Sequence, residues 1–257
     1  MRKIVLGLLT LLLIASLAGC SGSGASGSGD TTPDLPVGTE PSSNTEVNSD
    51  STQSFLDSIT PETAEAKGVC GADLTWYYQD GVLVIKGTGA MTDYNSFSNN
   101  TPWNEFEDKV GWVIIEEGVT SIGSWSLNKM SALSKISLPE SLKVINEGGL
   151  ADCDNLSSIE LPQGLEIMGR YSLSSDSMNS ITIPSNVKEM GSNAVDCKEI
   201  IFEGNAPEMP VFGYGNVDNP DTFYLMDISE ADTTIIYSGN GFEEYIEQCP
   251  QYNWVKQ

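Results

Sequence analysis

The chain has 257 residues, with 36 acidic residues against 12 basic ones and no histidine, so its formal net charge is −24 at pH 7. The missing histidine excludes Ser-His-Asp and Cys-His catalytic arrangements and every metal site that needs an imidazole ligand. The negative charge disfavours nucleic acid and anionic lipid surfaces as partners.

The N-terminus has the features of a bacterial export signal. Two basic residues precede an apolar run over residues 4–17, which is short for a membrane-spanning helix. The run ends in Leu17-Ala-Gly-Cys20, which resembles the lipobox of bacterial lipoproteins. The resemblance implies removal of residues 1–19 and lipidation of Cys20, and hence a chain anchored by lipid to the extracytoplasmic side of a bacterial cell membrane. The alternative is an ordinary secretory signal with a coincidental cysteine.

Residues 20–67 form a long polar stretch after the signal. Ser, Gly, Thr, Pro and acidic residues dominate it, and aromatic residues are almost absent. Such a composition cannot bury enough apolar surface to fold. We therefore expect a disordered linker that tethers the folded part of the chain to Cys20.

A β-hairpin is predicted at the start of the folded part. Two strand-like runs, residues 74–78 and 82–86, flank Asp80-Gly81, a pair that favours a tight turn. We assign residues 68–110 to an N-terminal β-hairpin cap, because a stack of repeats needs its open strand edge covered. The side chains expected to fill this cap are aromatic: Trp76, Trp103 and Phe106.

Residues 111–204 contain one phrase five times. The first apolar residue of each copy recurs at intervals of 23, 23, 22 and 19 residues: Val113, Ile136, Ile159, Ile181 and Ile200. A second apolar residue follows two positions later, which is the period of a half-buried strand. A regular repeat of this length predicts a solenoid, in which successive coils stack into one continuous core.

Two further residue types recur within the phrase. Proline ends the strand of three copies because it has no N–H to donate: Pro139, Pro162 and Pro184. Glycine or asparagine follows a later apolar position in four copies: Gly123, Asn146, Gly169 and Gly191. These residues favour a backbone with positive φ, so we expect the chain to turn at them.

Four cysteines remain after Cys20. Cys153 and Cys197 lie about two coils apart, so a spacing of about 4.8 Å per coil separates them by roughly 10 Å, beyond the ~7 Å Cα–Cα reach of a disulfide. We expect both to be small buried side chains of the repeat. The redox state of Cys70 and Cys249, one in each flank, stays open.

Residues 205–257 are predicted to cap the other end of the stack. Residues 234–237 have the character of a strand, and residues 241–248 that of a short helix ending before Pro250. Residues 211–232 are rich in Gly, Asn, Asp and Pro, which predicts an irregular insertion.

The phrase has the pattern I-x-[IL]-P-x-x-[VL]-x-x-[IM]-G-x-x-x-[LV] and resembles the BspA-type leucine-rich repeats of bacterial surface proteins. The flanks are similar to that family at residues 70–76, 85–91, 102–103, 201–207 and 252–254. The chain departs from the family by having leucine or valine in place of a phenylalanine: Leu127, Leu150, Leu173 and Val195. The resemblance implies a mainly β leucine-rich repeat solenoid with short helical or irregular turns, capped at both ends, that serves adhesion.

A binding surface is expected where side chains of the repeated strand alternate outward. These outward positions are Trp112, Ile114, Lys135, Ser137, Ser158, Glu160, Ser180, Thr182, Glu199 and Ile201. A second contact is predicted at Trp125 and Tyr171, which occupy one equivalent position two coils apart. We predict a non-catalytic module that binds an unknown protein or glycan on host or neighbouring cells, with no cofactor, no metal, no nucleic acid partner and no membrane contact beyond the lipid anchor.

Two other functions stay open at this point. The first is a structural or accessory envelope lipoprotein that scaffolds an assembly near the membrane. The second and more remote one is a carboxylate-based glycoside hydrolase, because such an enzyme needs only two acidic residues. The sequence pairs no particular acids across a pocket, and a solenoid offers a shallow surface.

Overall fold

The structure is a computed structural model that describes Ser54 and residues 57–97, 100–207, 233–248 and 252–257. The predicted signal of residues 1–19, the lipidation site Cys20, the 211–232 insertion and Cys249 lie outside the described residues, as does most of the predicted linker. Within the described part of the chain, no helix is long and apolar enough to cross a membrane.

The N-terminal end is an antiparallel sheet of β1 (Ala66–Val69), β2 (Asp73–Gln79) and β3 (Val82–Ala90). Asp80 and Gly81 connect β2 to β3 with φ of 49° and 77°. A tight hairpin turn needs such positive φ values, and Asp and Gly accept them at low cost. The predicted hairpin is confirmed.

Aromatic side chains fill this end of the molecule as predicted. Trp76 and Trp103 are buried and meet edge to face with ring centroids 5.9 Å apart. Phe106 follows in a short 3₁₀ turn and stacks on Tyr78 at 4.4 Å. Trp103 Nε1 donates a hydrogen bond to the Ser126 carbonyl at 2.9 Å. That bond satisfies the buried indole and ties the aromatic cluster to the repeats.

The first strands of the coils stack in parallel in two groups, and we call the outer surface of this column the strand face. The column has an N-terminal part, in which the first half of β3 is followed by β4 (Trp112–Ile115) and β6 (Lys135–Ser137). Its C-terminal part contains β10 (Ser180–Ile183), β13 (Glu199–Phe202), β14 (Thr234–Tyr237) and β15 (Asn253–Lys256).

The register of the first column follows the repeat. Val113 pairs with Ile136, and Ile181 pairs with Ile200, as their sequence spacing predicts. Ile200 pairs in turn with Ile235 of β14. The stack therefore continues past residue 204 with two more strands in register, and the predicted strand at residues 234–237 is one of them.

A second column of short strands runs through the same coils without interruption. It starts at the second half of β3 and contains β5 (Val119–Ile122), β7 (Val144–Ile145), β8 (Ile167–Met168) and β11 (Glu189–Met190). A third contact between coils is made by β9 (Leu173–Ser174) and β12 (Val195–Asp196). Each coil is thus mostly strand and irregular turn, and the predicted β-rich repeat solenoid is confirmed.

The C-terminal end is closed by aromatic residues. The predicted helix is present as α1 (Glu243–Gln248). Phe242, immediately before α1, is 1% exposed and its ring centroid lies 4.7 Å from that of Tyr237 and 5.2 Å from that of Phe202. Burial of such large apolar side chains covers the end of the core, as Trp76 and Trp103 do at the other end.

The cysteines of the repeat are buried in the core. Cys153 is 0% exposed and Cys197 is 6% exposed, as predicted for small apolar side chains of the repeat. Cys70 is buried as well, and within the described residues none of these three cysteines forms a disulfide. Burial raises the pKa of each thiol to about 12 because the charged thiolate would lose its hydration.

The glycines predicted to turn the chain serve a different purpose. Gly123, Gly169 and Gly191 do not have positive φ. A Cβ at Gly169 would instead collide with the backbone of Glu147 in the preceding coil, and one at Gly123 would collide with the Thr92 carbonyl. These positions therefore need glycine because coils approach closely there. The prediction of positive φ at them is wrong.

The predicted flexible linker ends earlier than residue 67. Ile59 is 2% exposed, and a hydrogen-bonded turn at residues 60–63 leads into β1, which pairs with β2. This stretch is polar in composition, but its one isoleucine, Ile59, packs on an apolar surface of Val82, Val84 and Ile114. Burial of a single such side chain contributes about 1.5–3 kcal/mol, which helps to order the residues around it.

Candidate functional site

The outward side chains of the strand face differ in exposure along the stack. The exposed ones lie in the middle: Lys135, Ser158, Glu160, Ser180 and Thr182. Half-buried ones lie toward both ends: Trp112, Ser137, Glu199 and Ile201. Ile114 alone among the predicted positions is buried, at 5% exposure. The accessible part of the predicted surface is therefore polar and central.

The N-terminal end of the strand face is covered by the chain itself. Ile59 packs on the outer surface of β3 and β4, in an apolar cluster with Val82, Val84 and Ile114. Ile114 is thereby removed from the predicted binding surface. The sequence pattern places it outward correctly, but it gives no information on which upstream residue would cover it.

Trp112 is engaged by neighbours on the strand face. The Lys135 ammonium lies 4.0 Å from the centre of the Trp112 ring, a cation–π contact. Trp112 Nε1 donates a hydrogen bond to Ser137 Oγ at 3.3 Å. These contacts hold the indole against the next coil and fix the position of the Lys135 charge at the edge of the polar centre.

The hydrogen-bond ladder of the strand face is interrupted at residues 157–161, which we call the open segment. Elsewhere the backbone of one coil bonds to the next, as from Lys135 N to the Gly111 carbonyl at 3.3 Å and from Glu199 N to the Asn179 carbonyl at 3.0 Å. Within the described chain, the backbone N–H and C=O groups of the open segment have no such partner. The strand predicted at Ile159–Leu161 is therefore absent, although its side-chain pattern is present.

In the open segment the apolar side chains face the core although the backbone does not pair with a neighbouring strand. Ile159 is half-buried against the main core and Leu161 is 9% exposed, so both face inward as predicted. An apolar side chain is attracted to the core regardless of direction, whereas a ladder hydrogen bond needs two backbones about 4.8 Å apart. The repeat pattern therefore fixes the inward residues without fixing the ladder.

Two clefts flank the open segment. One of about 360 Å³ separates it from the edge of β6 and is lined by Lys135, Ser137 and Glu160 among others. The other, of about 400 Å³, separates it from the edge of β10 and reaches Gln163 and Glu203. Both volumes fall near the lower end of the ~300–1,000 Å³ range of clefts that bind small ligands. Gln163 Nε2 donates to Glu203 Oε2 at 3.1 Å and so bridges the rim of the second cleft.

A different surface is formed at the turn after the second column. Backbone hydrogen bonds between successive coils run from Tyr94 N to the Ser124 carbonyl, and from Trp125 N to the Glu147 carbonyl, at 2.7 and 2.9 Å. The series continues from Gly148 N and from Tyr171 N, at 2.9 and 3.3 Å. Five coils thus place one residue each in line, which we call the turn row: Tyr94, Trp125, Gly148, Tyr171 and Asn193.

Four residues of the turn row have left-handed backbone conformations. Trp125, Gly148, Tyr171 and Asn193 have φ of 53°, 62°, 52° and 51°. The chain thus turns two residues after the glycines that were predicted to turn it. Glycine and asparagine accept this conformation easily, whereas it is strained for tryptophan and tyrosine. This strain could not be predicted from the sequence, because bulky residues rarely occupy such positions.

The rings of the turn row are held in place. The six-membered ring of Trp125 fills the volume that a side chain at Gly148 would occupy, since an added Cβ there would overlap Cδ2, Cε3 and Cζ3 of the indole. The Arg170 guanidinium lies 4.5 Å from the centre of the Tyr171 ring, and Arg170 Nη2 hydrogen-bonds Tyr171 Oη at 3.0 Å. Tyr94 meets Trp103 edge to face at 6.3 Å.

The turn-row aromatics remain partly exposed. Tyr94, Trp125 and Tyr171 are all half-buried. The sequence had predicted Trp125 and Tyr171 at one equivalent position, and the backbone bonds place them there. It missed Tyr94, which precedes the first complete repeat phrase and is found in the row only through its bond to Ser124.

The two surfaces are suited to binding through hydrogen bonds and ring contacts. In the described ranges, no group of three or more carboxylates, thiols or imidazoles could hold a metal ion. The strand face offers hydroxyls, carboxylates and backbone groups with unmet hydrogen-bonding capacity. The turn row offers aromatic rings.

The sequence model described as BspA type leucine rich repeat region matches residues 94–204 in six copies. Residues 94–204 are BspA-type leucine-rich repeats. The match begins at Tyr94, the first residue of the turn row, so the repeat extends into the segment that the sequence assigns to the cap. No curated protein is significantly similar to the chain.

Several solved leucine-rich repeat structures are similar to parts of this chain. One from Eubacterium ventriosum is 24% identical with a TM-score of 0.48, over 56% of this chain and 40% of that one. The pneumococcal vaccine antigen PcpA is 18% identical with a TM-score of 0.44, over 71% and 47%. The T. pallidum protein TpLRR is 23% identical with a TM-score of 0.39, over 56% and 71%. The chain spans less than half the length of the first two.

Proposed function

We propose that the chain is a non-catalytic, extracytoplasmic binding protein, anchored through a lipid on Cys20, whose strand face takes up an extended segment of a protein partner. The observation that carries this proposal is the open segment at residues 157–161. It leaves backbone donors and acceptors without partners in the middle of an accessible sheet. The lipobox at Leu17–Cys20 supports the location.

An unpaired strand edge favours a polypeptide as the partner. Proteins commonly bind extended peptides by adding them to a free sheet edge, where backbone hydrogen bonds supply affinity and flanking pockets select side chains. The strand face has such edges on β6 and β10, facing the open segment across its two clefts. A partner strand entering there would meet backbone groups that lack partners, so its hydrogen bonds would replace only those to water.

Charges on the rim of the first cleft would orient the partner. Lys135 and Glu160 are exposed and line opposite sides of that cleft. They place a positive and a negative charge across the cleft, which favours one direction and register of a bound segment over others. Rim charges of this kind mainly change the association rate and the salt dependence of binding.

The test uses the intact chain and a double charge reversal. The wild type, the variant Lys135→Glu/Glu160→Lys, and the control variant Lys143→Glu/Glu166→Lys are used to capture proteins from host extracellular matrix and from the cell envelope of the producer. Both double variants preserve net charge and change one lysine and one glutamate of the same two coils, and in the control Lys143 is exposed and Glu166 is half-buried. We expect capture of a protein whose affinity falls about tenfold in the first variant and is unchanged in the control.

The remaining outcomes separate the alternatives. A captured protein whose affinity is the same for all three chains places its contact away from the strand face and contradicts the proposal. Crosslinking in cells that traps only envelope proteins, again insensitive to Lys135 and Glu160, favours a scaffold near the membrane. Capture of glycans alone through the strand face would replace the protein partner with a carbohydrate.

A further inference from the structure

The turn row combines features that the strand face lacks. Its three aromatic residues lie on the first, second and fourth of its five coils, with Trp125 and Tyr171 roughly 10 Å apart at about 4.8 Å per coil. Their positions are fixed by backbone bonds and by ring contacts with Gly148, Arg170 and Trp103. Rings held rigidly lose little conformational entropy when a ligand binds.

A line of polar side chains runs beside the rings. The residue before each member of the turn row occupies its own equivalent position, and each is capable of hydrogen bonding: Asp93, Ser124, Glu147, Arg170 and Ser192. Asp93 and Glu147 are exposed, and one carboxylate oxygen of Asp93 accepts a hydrogen bond from Ser124 N at 2.6 Å. Arg170 is engaged with the Tyr171 ring. A ligand lying along the row would therefore meet half-buried aromatic rings together with hydrogen-bonding groups of the adjacent positions.

The backbone strain of the row points to selection for ring placement. Trp125 and Tyr171 adopt left-handed φ values that cost bulky residues free energy, while Gly148 and Asn193 show which residues fit the same turn without that cost. Strained conformations of this kind are concentrated at binding and catalytic sites. Gly148 leaves room for the Trp125 ring, which any larger residue at that position would displace.

We propose that the turn row is a binding site for a neutral, linear glycan, separate from the polypeptide site on the strand face. Sugar rings present C–H faces that pack on aromatic rings, and hydroxyls that pair with carboxylates and hydroxyls at their edges. The carboxylates of Asp93 and Glu147 and the net charge of −24 disfavour an anionic chain. A row along the stacking axis suits a linear ligand, since each coil adds one equivalent contact.

The test titrates the intact chain with β-linked oligomers of glucose, of N-acetylglucosamine and of mannose, with oligogalacturonate as the anionic comparison. Tryptophan fluorescence and calorimetry report binding. We expect at least one neutral oligomer to bind, and Trp125→Ala and Tyr171→Ala each to weaken it about tenfold. Tyr171→Phe keeps the stacking face and should retain most of the affinity. The strand-face variant Lys135→Glu/Glu160→Lys should bind the oligomer like the wild type.

A measurement on the unmodified chain guards against variants that fail to fold. Bound oligomer should protect Trp125 from oxidation by N-bromosuccinimide, with the modified tryptophan located by mass spectrometry. The proposal is overturned if no neutral oligomer binds, if oligogalacturonate binds more tightly, or if Trp125 stays unprotected. Loss of oligomer binding in the strand-face variant alone would also overturn it. The first three results leave the strand-face proposal unaffected, because its test measures captured protein, whereas the last would place the glycan on the strand face.

Discussion

The first and second columns pass through the same coils and yet differ in continuity. In the second column, β7, β8 and β11 pair in register without a break. In the first column, the open segment of the coil between β6 and β10 pairs with neither neighbour. In one stack of coils, the backbone hydrogen bonds between coils can thus be continuous in one column and interrupted in another. Ladder continuity is a property of each column and not of the repeat as a whole.

The difference has a local cause on the closed side. The second column is followed by Gly169 and Gly191, where the backbones of successive coils touch and no side chain fits between them. This backbone contact keeps successive coils close together next to the second column. The open segment instead adjoins two clefts, where Lys135, Ser158 and Glu160 line the space between coils. Three predictions test this contrast.

The largest effect is expected from the core beneath the two columns. Leu165→Ala should lower the free energy of unfolding by about 2–5 kcal/mol, because Leu165 is fully buried and its loss leaves a cavity. Ile159→Ala in the same coil should cost less than half as much, since Ile159 is half-buried beside an open cleft. Urea unfolding followed by circular dichroism measures both. Equal losses would show that the open segment is packed as tightly as the second column.

A smaller effect is expected at the close approach of the second column. Gly169→Ala should destabilise the fold by about 1–3 kcal/mol, because its Cβ would collide with the backbone of Glu147. Gly111→Ala is the matched control, since the nearest atom to a Cβ there lies 3.9 Å away. Thermal unfolding of both variants compares them. A loss at Gly111 as large as that at Gly169 would remove coil contact as the reason for glycine.

The smallest effect is expected from the charges beside the second column. Glu166 pairs with Lys188 at 2.9 Å and Lys143 at 3.7 Å. The Lys188 hydrogen bond and charge, with help from Lys143, lower the pKa of the Glu166 carboxyl below its usual 4.5. A lowered folded pKa stabilises the fold above the unfolded pKa, and this stabilisation is lost as pH falls through the folded value.

The expected size of that effect follows from exposure. The Glu166 side chain is 39% exposed and that of Lys188 is 68% exposed, so water and salt screen the pair. Glu166→Gln should leave the unfolding midpoint at about pH 7 nearly unchanged and abolish a slight decline toward about pH 3. A large drop at neutral pH would mean that the charges, and not the glycines, hold the second column together.

The sequence was sufficient for the repeat and the interior of the fold. Val113, Ile136, Ile181 and Ile200 recur because each must face one core, so periodicity reveals them. The hairpin at Asp80-Gly81 follows from local turn chemistry. Features that depend on contacts between distant residues escaped prediction. Ile59 is one isoleucine in a polar stretch, and its role depends on the apolar surface around Ile114.

The candidate sites were predictable to different degrees. Trp125 and Tyr171 could be aligned because they share a position in the repeat, whereas Tyr94 lies before the first complete phrase. The open segment could not be predicted, since residues 158–161 have the same apolar pattern as paired strands. The prediction of positive φ at the repeat glycines was wrong because glycine is needed both where φ is positive and where two backbones approach closely. The sequence alone does not distinguish these two cases.

The position of Ile59 bears on how recombinant forms of this protein should be made. A fragment beginning at residue 68, where the predicted N-terminal cap starts, would lack Ile59 and leave Val82, Val84 and Ile114 uncovered. Such a truncated product would expose an apolar surface that is buried in the longer chain. In a screen for adhesion it would retain many unrelated proteins, and the false positives would arise from the cloning boundary.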